Sequence, residues 1–496
     1  MPKRPLFERV LARIGLQRAE SGRPAMRIFQ GARMDRITMD WFTGRTSADS
    51  EIRADLLRLR NRSRTIVRDT PIGRRYVELF AENVAGEHGL RFRPRCLLPD
   101  GERDKVLNQK LLNLWALWGN PENCTLDGSL SWAELHQTIR RLEPGDGEVL
   151  LRLVRGAQNE VGFAVQLLDP DQLNEALNRV EPNGEYVQQG VQRNRFGIPV
   201  AYWIWDVHPT DPGQKVCRSI PADEILHLYR PHRPGAGRGL PWLHAALESI
   251  FVLGGYIEAT LVASRMAANQ NAFYKPPLDA ESDENTTSAV PSETAPGESY
   301  ELPPGWDVIF NDPKQPHGEF SSFVKGVHRL IAAAGSVSYT SLSGDLEAVN
   351  YSSIRAGLLA ERDQYRMLQR RDAIHLARPL WLAVLKMAQL TGAIRLTEDE
   401  YRRASTQFDF IGRGFPWVDP EKDINALGTE IQWGINSRTR AIEERGRDFE
   451  ATLAELDQEQ QLASEYDVDV SGPKSTPAPK PAAPTPDITP NPDGQP

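Results

Sequence analysis

Three cysteines in 496 residues, Cys96, Cys124 and Cys217, are too few and too far apart for a zinc ribbon or a disulfide framework. They read as buried or half-exposed thiols of a protein that works in a reducing compartment. The common catalytic signatures are missing too: no His-Glu-x-x-His, no Gly-x-Ser-x-Gly, and no Cys–His pairing with a residue to orient it. The run Gly235-Ala236-Gly237-Arg238-Gly239 stands between a strand-like and a helix-like stretch, the setting of a phosphate-binding turn. Its third glycine comes one residue early and no Lys-Ser/Thr follows, so a hinge into the next helix is the better reading. His227 and His232 are five apart, which suits metal ligands on neither a helix nor a strand, and they read as a structural pair. Carboxylates are plentiful but lack the spaced clustering of a two-metal nuclease. The sequence thus offers no catalytic residue, no metal site and no cofactor site.

Long uninterrupted apolar runs are also scarce. The nearest is Ala245–Ala263, and it contains Glu248 and Glu258. Two central carboxylates would each cost about 2.5–3.5 kcal/mol on insertion, so a buried helix at a domain or subunit contact is expected there, with no membrane partner. The first residues, MPKRPLFERVLARIGLQRAESGRPAMR, are broken by charge every few positions. They read as a basic, poorly ordered arm over 1–38 and not as a secretory signal. Positive charge is not in excess: 59 Lys and Arg against 67 Asp and Glu give a net charge of −8. That excludes a protein coated in nucleic acid over its whole surface. It leaves room for a channel, because an acidic wall lets DNA slide where a basic wall would grip it.

What is present is an ordinary globular composition in a chain long enough for two to four structural units. Ala48 to Glu87 has helical spacing, interrupted at Pro71, with Asp69-Thr70 placed to cap a second helix. Asp104 to Trp118 is amphipathic and ends at Gly119-Asn120-Pro121, and Ser131 with Glu134 makes a capping box for the helix that follows. Gly145-Asp146-Gly147 then turns the chain into strand-like runs, EVLLRLVR, FAVQLLDP, VAYWIWDV and EILHLYRP. Residues 39–239 therefore form an α+β unit with a mainly antiparallel sheet. Helical pattern returns over 240–274. Between Lys275 and Lys314 no basic residue occurs, while Asp279, Glu281, Asp283, Glu284, Glu293, Glu298 and Glu301 accumulate among prolines and threonines. This stretch reads as a solvated acidic insertion or as an exposed docking module.

Residues 319–334 carry one apolar stripe, Phe320, Phe323, Val324, Val327, Leu330 and Ile331, with Lys325 and Arg329 off it. The Ser/Gly-rich stretch GSVSYTSLSGDLEAVNYSS follows; its one large side chain between Val337 and Leu342 is Tyr339, so a mobile, solvent-facing loop is expected. A long helix comes next, with Arg355, Arg362, Arg366, Arg370, Arg371 and Arg378 against Glu361, Asp363 and Asp372. These charges read either as a solvated, salt-bridged face or as groups that line or brace a DNA channel. Asp419 with Pro420, and Asn436 or Ser437, can cap two further helices within 416–466. Residues 467–496 form a Pro-rich tail expected to be disordered.

Several of these segments, taken in order, resemble lambda-type bacteriophage portal proteins: DWFTGRTSADSEIRADLLRLRNRSR, RDTPIGRRYVELFAENVAG, LLDPDQL at Leu167–Leu173, GDLEAVNYSSIRAGLLAERDQYR, and the Trp417-Val418-Asp419-Pro420 run. The resemblance covers about Met39 to Glu450. It implies an α+β portal-like fold: a wing at 39–239, a helical stem at 240–274 and 319–334, an acidic clip insertion at 275–318, a tunnel loop at 335–350, a long helix returning to the wing at 351–415, and crown helices at 416–466. It also implies a homo-oligomeric ring of about twelve copies at one capsid vertex of the virion, assembled in the bacterial host cytoplasm. The implied partners are double-stranded DNA bound without sequence preference, the terminase large subunit, a head–tail connector or adaptor protein, and the major capsid protein or scaffold. Channel contact then falls to Ser336, Ser338, Tyr339, Thr340, Ser341, Ser343 and Asn350, with Lys325 and Arg329 as a candidate belt of charge. The rival readings are a packaging ATPase or nuclease, and an acidic adaptor.

Overall fold

The computed structural model describes residues 36, 44–268, 272–275, 305–310, 320–347, 351–416, 419–466 and 468. The expected basic arm, most of the acidic insertion, Asn350, Trp417, Val418 and nearly all of the Pro-rich tail lie outside them. Helix α1 (Ala48–Asp69) starts where the Ser47 side chain accepts from the Ser50 amide. It stops where Pro71 begins α2 (Pro71–Phe80), whose cap is Thr70, accepting from the Gly73 amide. Strand β1 (Arg91–Pro94) leads to α3 (Lys105–Trp118), capped by Asp104, and α4 (Trp132–Asp146), which has the Ser131–Glu134 capping box. The turn expected at 145–147 is later and tighter: α4 runs to Asp146, and Gly147 alone turns the chain, at φ 90°.

Strands β2 (Glu148–Arg155), β3 (Phe163–Leu168), β4 (Arg179–Val180), β5 (Tyr186–Gln188), β6 (Val191–Arg193), β7 (Pro199–Trp205), β8 (Cys217–Pro221) and β9 (Ile225–Tyr229) make two antiparallel sheets, ordered β3-β2-β9 and β4-β5-β6-β7-β8. The chain then runs into α5 (Leu247–Ala268), the pair β10 (Ala272–Lys275) and β11 (Asp307–Phe310), and α6 (Phe320–Ala334). After the five-residue α7 (Tyr339–Ser343) come α8 (Tyr351–Asp372), a π turn at Ala373–Ala377, α9 (Arg378–Thr391) and α10 (Glu398–Thr406). Strand β12 (Phe408–Ile411) pairs with β1, tying the late chain to the early one. Helices α11 (Pro420–Gln432), α12 (Arg438–Glu443) and α13 (Phe449–Glu465) end the described chain. Helices and antiparallel sheet are thus mixed in one fold.

Two cores hold it. One is aromatic, with Phe92 against Trp381 at a centroid separation of 4.1 Å and Trp115 against Trp118 at 4.9 Å; both Trp118 and Trp381 are fully buried. The other gathers Tyr76, Phe80, Leu243, Ile250, Ile331, Leu342 and Tyr365 from α2, the entry to α5, α6, α7 and α8.

A buried ionic network joins the sheets to the helices. Glu148, the first residue of β2, is fully buried and accepts from Arg60 Nη2 (2.6 Å), Arg238 Nη2 (2.5 Å), the Gly239 amide (3.1 Å) and His227 Nε2 (3.0 Å). Arg60 also reaches Asp171 (2.5 Å) and Glu175 (2.9 Å), and Arg64 forks onto Asp146 (2.7 and 2.9 Å). Burial alone would raise the Glu148 carboxyl, but the Arg238 guanidinium, His227 and Arg60 hold it well below the usual range. The 235–239 run is therefore pinned and is not a hinge: the Gly237 amide donates to Asp49 (2.6 Å), and a Cβ on Gly239 would lie 2.0 Å from the Gly147 carbonyl oxygen. Nor do the two histidines pair. His227 is bonded to Glu148, and His232 is exposed.

Removing the carboxylate leaves Arg60 and Arg238 buried without their main counter-ion. Glu148→Ala should therefore cost about 3–5 kcal/mol, read as a large fall in melting temperature. The pH dependence has a definite sign. Burial keeps His227 neutral below its ordinary value of 6.5, so on acidification the unfolded chain takes up a proton that the folded chain refuses. The Glu148 contribution is lost later, as pH falls through its depressed value. Melting temperature should drop between about pH 7 and about pH 5, and His227→Gln should shrink that drop. An unchanged drop in the variant would remove His227 from the account.

Candidate functional site: the 335–347 segment and its helices

Helix α6 ends at Gly335, whose amide donates to the Ile331 carbonyl at 2.9 Å. Gly335 is buried against Tyr76: a Cβ would sit 2.5 Å from the Tyr76 ring, and the Tyr76 hydroxyl donates to the Gly335 carbonyl at 3.0 Å. Ser336 turns the chain at φ 55°, an uncommon conformation for a residue with a side chain, while remaining exposed. Ser338 then caps α7, accepting from the Ser341 amide at 3.1 Å, and Gly344 ends it at φ 69°.

The segment expected to be a mobile loop is thus docked by a helical turn over Tyr339–Ser343, and Lys325 holds its continuation at Glu347. Leu342 is its anchor, 2% exposed in the second core. The Ser341 hydroxyl donates to Glu361 Oε2 (2.7 Å), whose other oxygen accepts from the Tyr365 hydroxyl (2.6 Å), and Arg75 Nε donates to the Ser341 carbonyl (3.2 Å). The Tyr339 hydroxyl donates to Asp345 (2.6 Å), and the Ser343 hydroxyl donates to the Tyr339 carbonyl (2.7 Å). Ser338 and Thr340 hydroxyls lie 3.2 Å apart. The signal that could have found this turn is local: a capping serine, one leucine four residues on, and a glycine two residues after it.

Lys325 and Arg329 are both engaged with this turn. Lys325 Nζ donates to Glu347 (2.6 Å) and lies 3.3 Å from Asp345, while the Arg329 guanidinium stands 5.4 Å from the centre of the Tyr339 ring. Bonding from Tyr339, then the Glu347 amide and Lys325, lowers the Asp345 carboxyl to about 2. The apolar stripe on α6 is divided. Ile331 is fully buried, Phe320 and Phe323 stack near Tyr256 of α5, and Leu330 is 67% exposed. On α5, Phe251 is 80% exposed, and Val252, Leu261, Val262 and Met266 are also open to solvent.

Among the described residues, one cluster has the geometry of a metal group, Asp169, Asp171 and His208. Its carboxylates already face guanidiniums: Asp171 meets Arg60 and Arg64, and Asp169 meets Arg64 at 2.8 Å. Sequence spacing could not bring these residues together, and their charge is already balanced by arginine.

The family model described as phage portal protein, lambda family, matches residues 34–369. The chain belongs to that family. It is 32% identical over 436 residues to the probable portal protein of Halomonas phage phiHAP-1, covering 85% of this chain and 84% of that one. Against portal protein B of Escherichia phage lambda the identity is 20% over 457 residues, with 84% and 85% covered. Among solved structures, the neck of a native gene transfer agent particle computed with C12 symmetry matches at a TM-score of 0.44 and 18% identity, covering 82% of this chain and 96% of that one. The role of a member of this family is that of a structural portal protein and not of an enzyme.

Two substitutions test the docking of the turn. Tyr76→Phe removes one buried hydrogen bond to Gly335 and should cost about 1 kcal/mol. Leu342→Ala opens a cavity in the second core and should cost about 2–5 kcal/mol, with faster protease cleavage within 338–347. Wild-type stability and cleavage in both would show that the turn is not held by the core.

Proposed function

We propose that this portal protein closes into a ring of about twelve copies at one vertex of the virion capsid, assembled in the host cytoplasm, and conducts double-stranded DNA in packaging and ejection. In this reading α5 and α6 are the stem, β10, β11 and the acidic stretch between them are the clip, and α11 to α13 belong to the crown. The turn carrying Ser336, Ser338, Tyr339, Thr340, Ser341 and Ser343, continued to Asn350, faces the channel, and Lys325 and Arg329 stand beneath it. The clip seats the terminase large subunit and then a head–tail connector; the outer surface meets the major capsid protein or scaffold.

The observation that carries the reading is the uncovered apolar surface of the stem pair. A helix apolar all round is a buried helix, and the described residues of one chain cover only part of α5. Leu247–Met266 is long and apolar enough to cross a bilayer by length and composition, but Glu248, Glu258 and Arg265 interrupt it. A neighbouring copy covers such a surface without desolvating those charges, and head-to-tail contacts that close give a ring. The packaging-ATPase alternative is weakened by the glycine run, whose Gly237 and Gly239 amides are spent on Asp49 and Glu148.

Phe251→Asp and Leu330→Asp should each leave a folded chain that forms no rings in electron micrographs or native mass measurements, while the wild type forms them. Wild-type rings in both variants would remove the stem face from the subunit contact. Reversing the charges beneath the turn, Lys325→Glu with Arg329→Glu, should change DNA retention in assembled particles in a salt-dependent way.

A further inference from the structure

The arginines of α8 and α9 divide into two sets. Arg355 donates to Asp423 (2.8 Å), and Arg371 donates to Glu143 (2.7 Å) and to the Tyr229 carbonyl (2.9 Å), so these two brace the fold. Arg362, Arg366, Arg370 and Arg378 form the second set, spread over about 24 Å of continuous helix at a rise of about 1.5 Å per residue. Their counter-charge is sparse. Arg366 has only Asp363, 3.0 Å away and itself exposed. Near Arg362 the acids are Asp423, which Arg355 holds, and Glu361, which Tyr365 and Ser341 hold. Arg370 and Arg378 make no ion pair among the described residues, and Arg378 stands 5.7 Å from the Phe408 ring.

A further guanidinium comes from outside the helix. Arg362, Arg366 and Arg413 lie 5.5, 5.8 and 5.9 Å from the centre of a single ring, Phe415. Burial, then the charges of Arg366 and Arg413, hold Arg362 below its ordinary value. Beside them a cleft of about 310 Å³ is walled by Arg366, Arg370, Arg378, Phe408 and Asp409. Asp409 is the one carboxylate on that wall, and it lies 3.5 and 3.7 Å from Arg93 and Arg95. Like charges held this close, with one exposed carboxylate among their ion pairs, are the mark of a surface that expects an anion.

We propose that the row Arg362, Arg366, Arg370 and Arg378, with Arg413, is a track for the phosphodiester backbone of double-stranded DNA, separate from the Lys325–Arg329 pair. The identity of the duplex rests on the portal reading; the anion-binding chemistry does not. The ligand is a regular polyanion because the charges extend over about 24 Å of helix, farther than one small anion can reach. Arginine forks suit phosphate oxygens, and a duplex carries them at even spacing. Bases are not read here. Gln369, the amide within the row, is used up by the Asn83, Val84 and Arg413 carbonyls.

The test is fluorescence anisotropy of a labelled mixed-sequence duplex against the full chain, over a range of salt concentrations. Arg366→Glu with Arg370→Glu should weaken binding at least about tenfold and flatten the log affinity–log salt slope by about 2, one unit for each lost phosphate contact. A charge-matched control, Arg218→Glu with Arg402→Glu, should keep the wild-type slope. If the Glu pair fails to fold, the pair Arg366→Gln and Arg370→Gln decides the matter by the same slope. Wild-type affinity and slope in a folded double variant would overturn the track. So would polyglutamate binding the row more tightly than the duplex at equal salt, which would assign it to an acidic protein partner. Row-dependent duplex binding by a protein that forms no rings would support the track and sink the ring reading.

Discussion

Glu148 is a carboxylate without solvent contact, and the path of the chain on both sides of it depends on how its charge is balanced. Arg60 comes from the middle of α1, 88 residues earlier, and Arg238 from the junction before α5, 90 residues later. A buried pair of this kind adds little net stability over an apolar replacement, because desolvation offsets the Coulomb attraction. What it supplies is an all-or-none requirement on position. If β2 slipped by one residue, Glu148 would point to the other face of its sheet and strand two guanidiniums in the interior. The same site fixes how the chain leaves the sheets, since the Gly239 amide is bonded to this carboxylate just before the turn into α5. The direction of α5 is therefore set by electrostatics deep in the α+β unit.

Much of the local structure was legible because its causes are local. Thr70, Asp104, Ser131 and Asp419 each cap the helix that follows them, and Pro71 and Pro420 stand at first-turn positions that need no amide donor. The four long apolar runs became β2, β3, β7 and β9. Strands β4, β5, β6 and β8 were not legible: they are two to five residues long, broken by Arg and Gln, and exist through pairing with β7 and one another. The glycine run was misread for a related reason. Glycine permits a hinge, but here it permits close approach, and the partners that close on it, Asp49, Gly147 and Glu148, are distant in sequence. At the candidate site, composition argued for a floppy loop, and one leucine was enough to overrule it. A short Ser-rich segment needs a single side chain in a prepared hole to become ordered, and that hole is built by α2, α6 and α8.

The turn and its helices share a division of labour between apolar and charged surfaces. Facing inward, Gly335, Val337 and Leu342 lock the turn to Tyr76 and its neighbours, so the main chain at this point is held by packing and by one buried hydroxyl. Facing outward, Lys325 is shared by Asp345 and Glu347, and Arg329 beside them brings the group's formal charge to zero. A channel lined by such a surface would offer passing phosphates little net field. Helices α5 and α6 behave in the opposite way. Phe251 and Leu330 leave apolar area that none of the other described residues covers.

These two properties bear on how a conduit can hold DNA without gripping it. With a net charge of −8 the subunit as a whole repels a polyanion, and at physiological ionic strength that repulsion fades within about 8 Å. Attraction must then come from groups that meet the backbone directly. The neutralised Lys325 cannot supply much of it, whereas Arg370 and Arg378 make no ion pair among the described residues. Repeating such a row around a ring would multiply weak contacts that differ little from one position of the DNA to the next. A uniform set of this kind lowers the energy of the bound state without creating deep minima along the axis, and so holds the duplex while leaving it free to move. With such a row, the acidic balance of the rest of the chain would limit how many contacts form at once, which would keep retention and release both accessible.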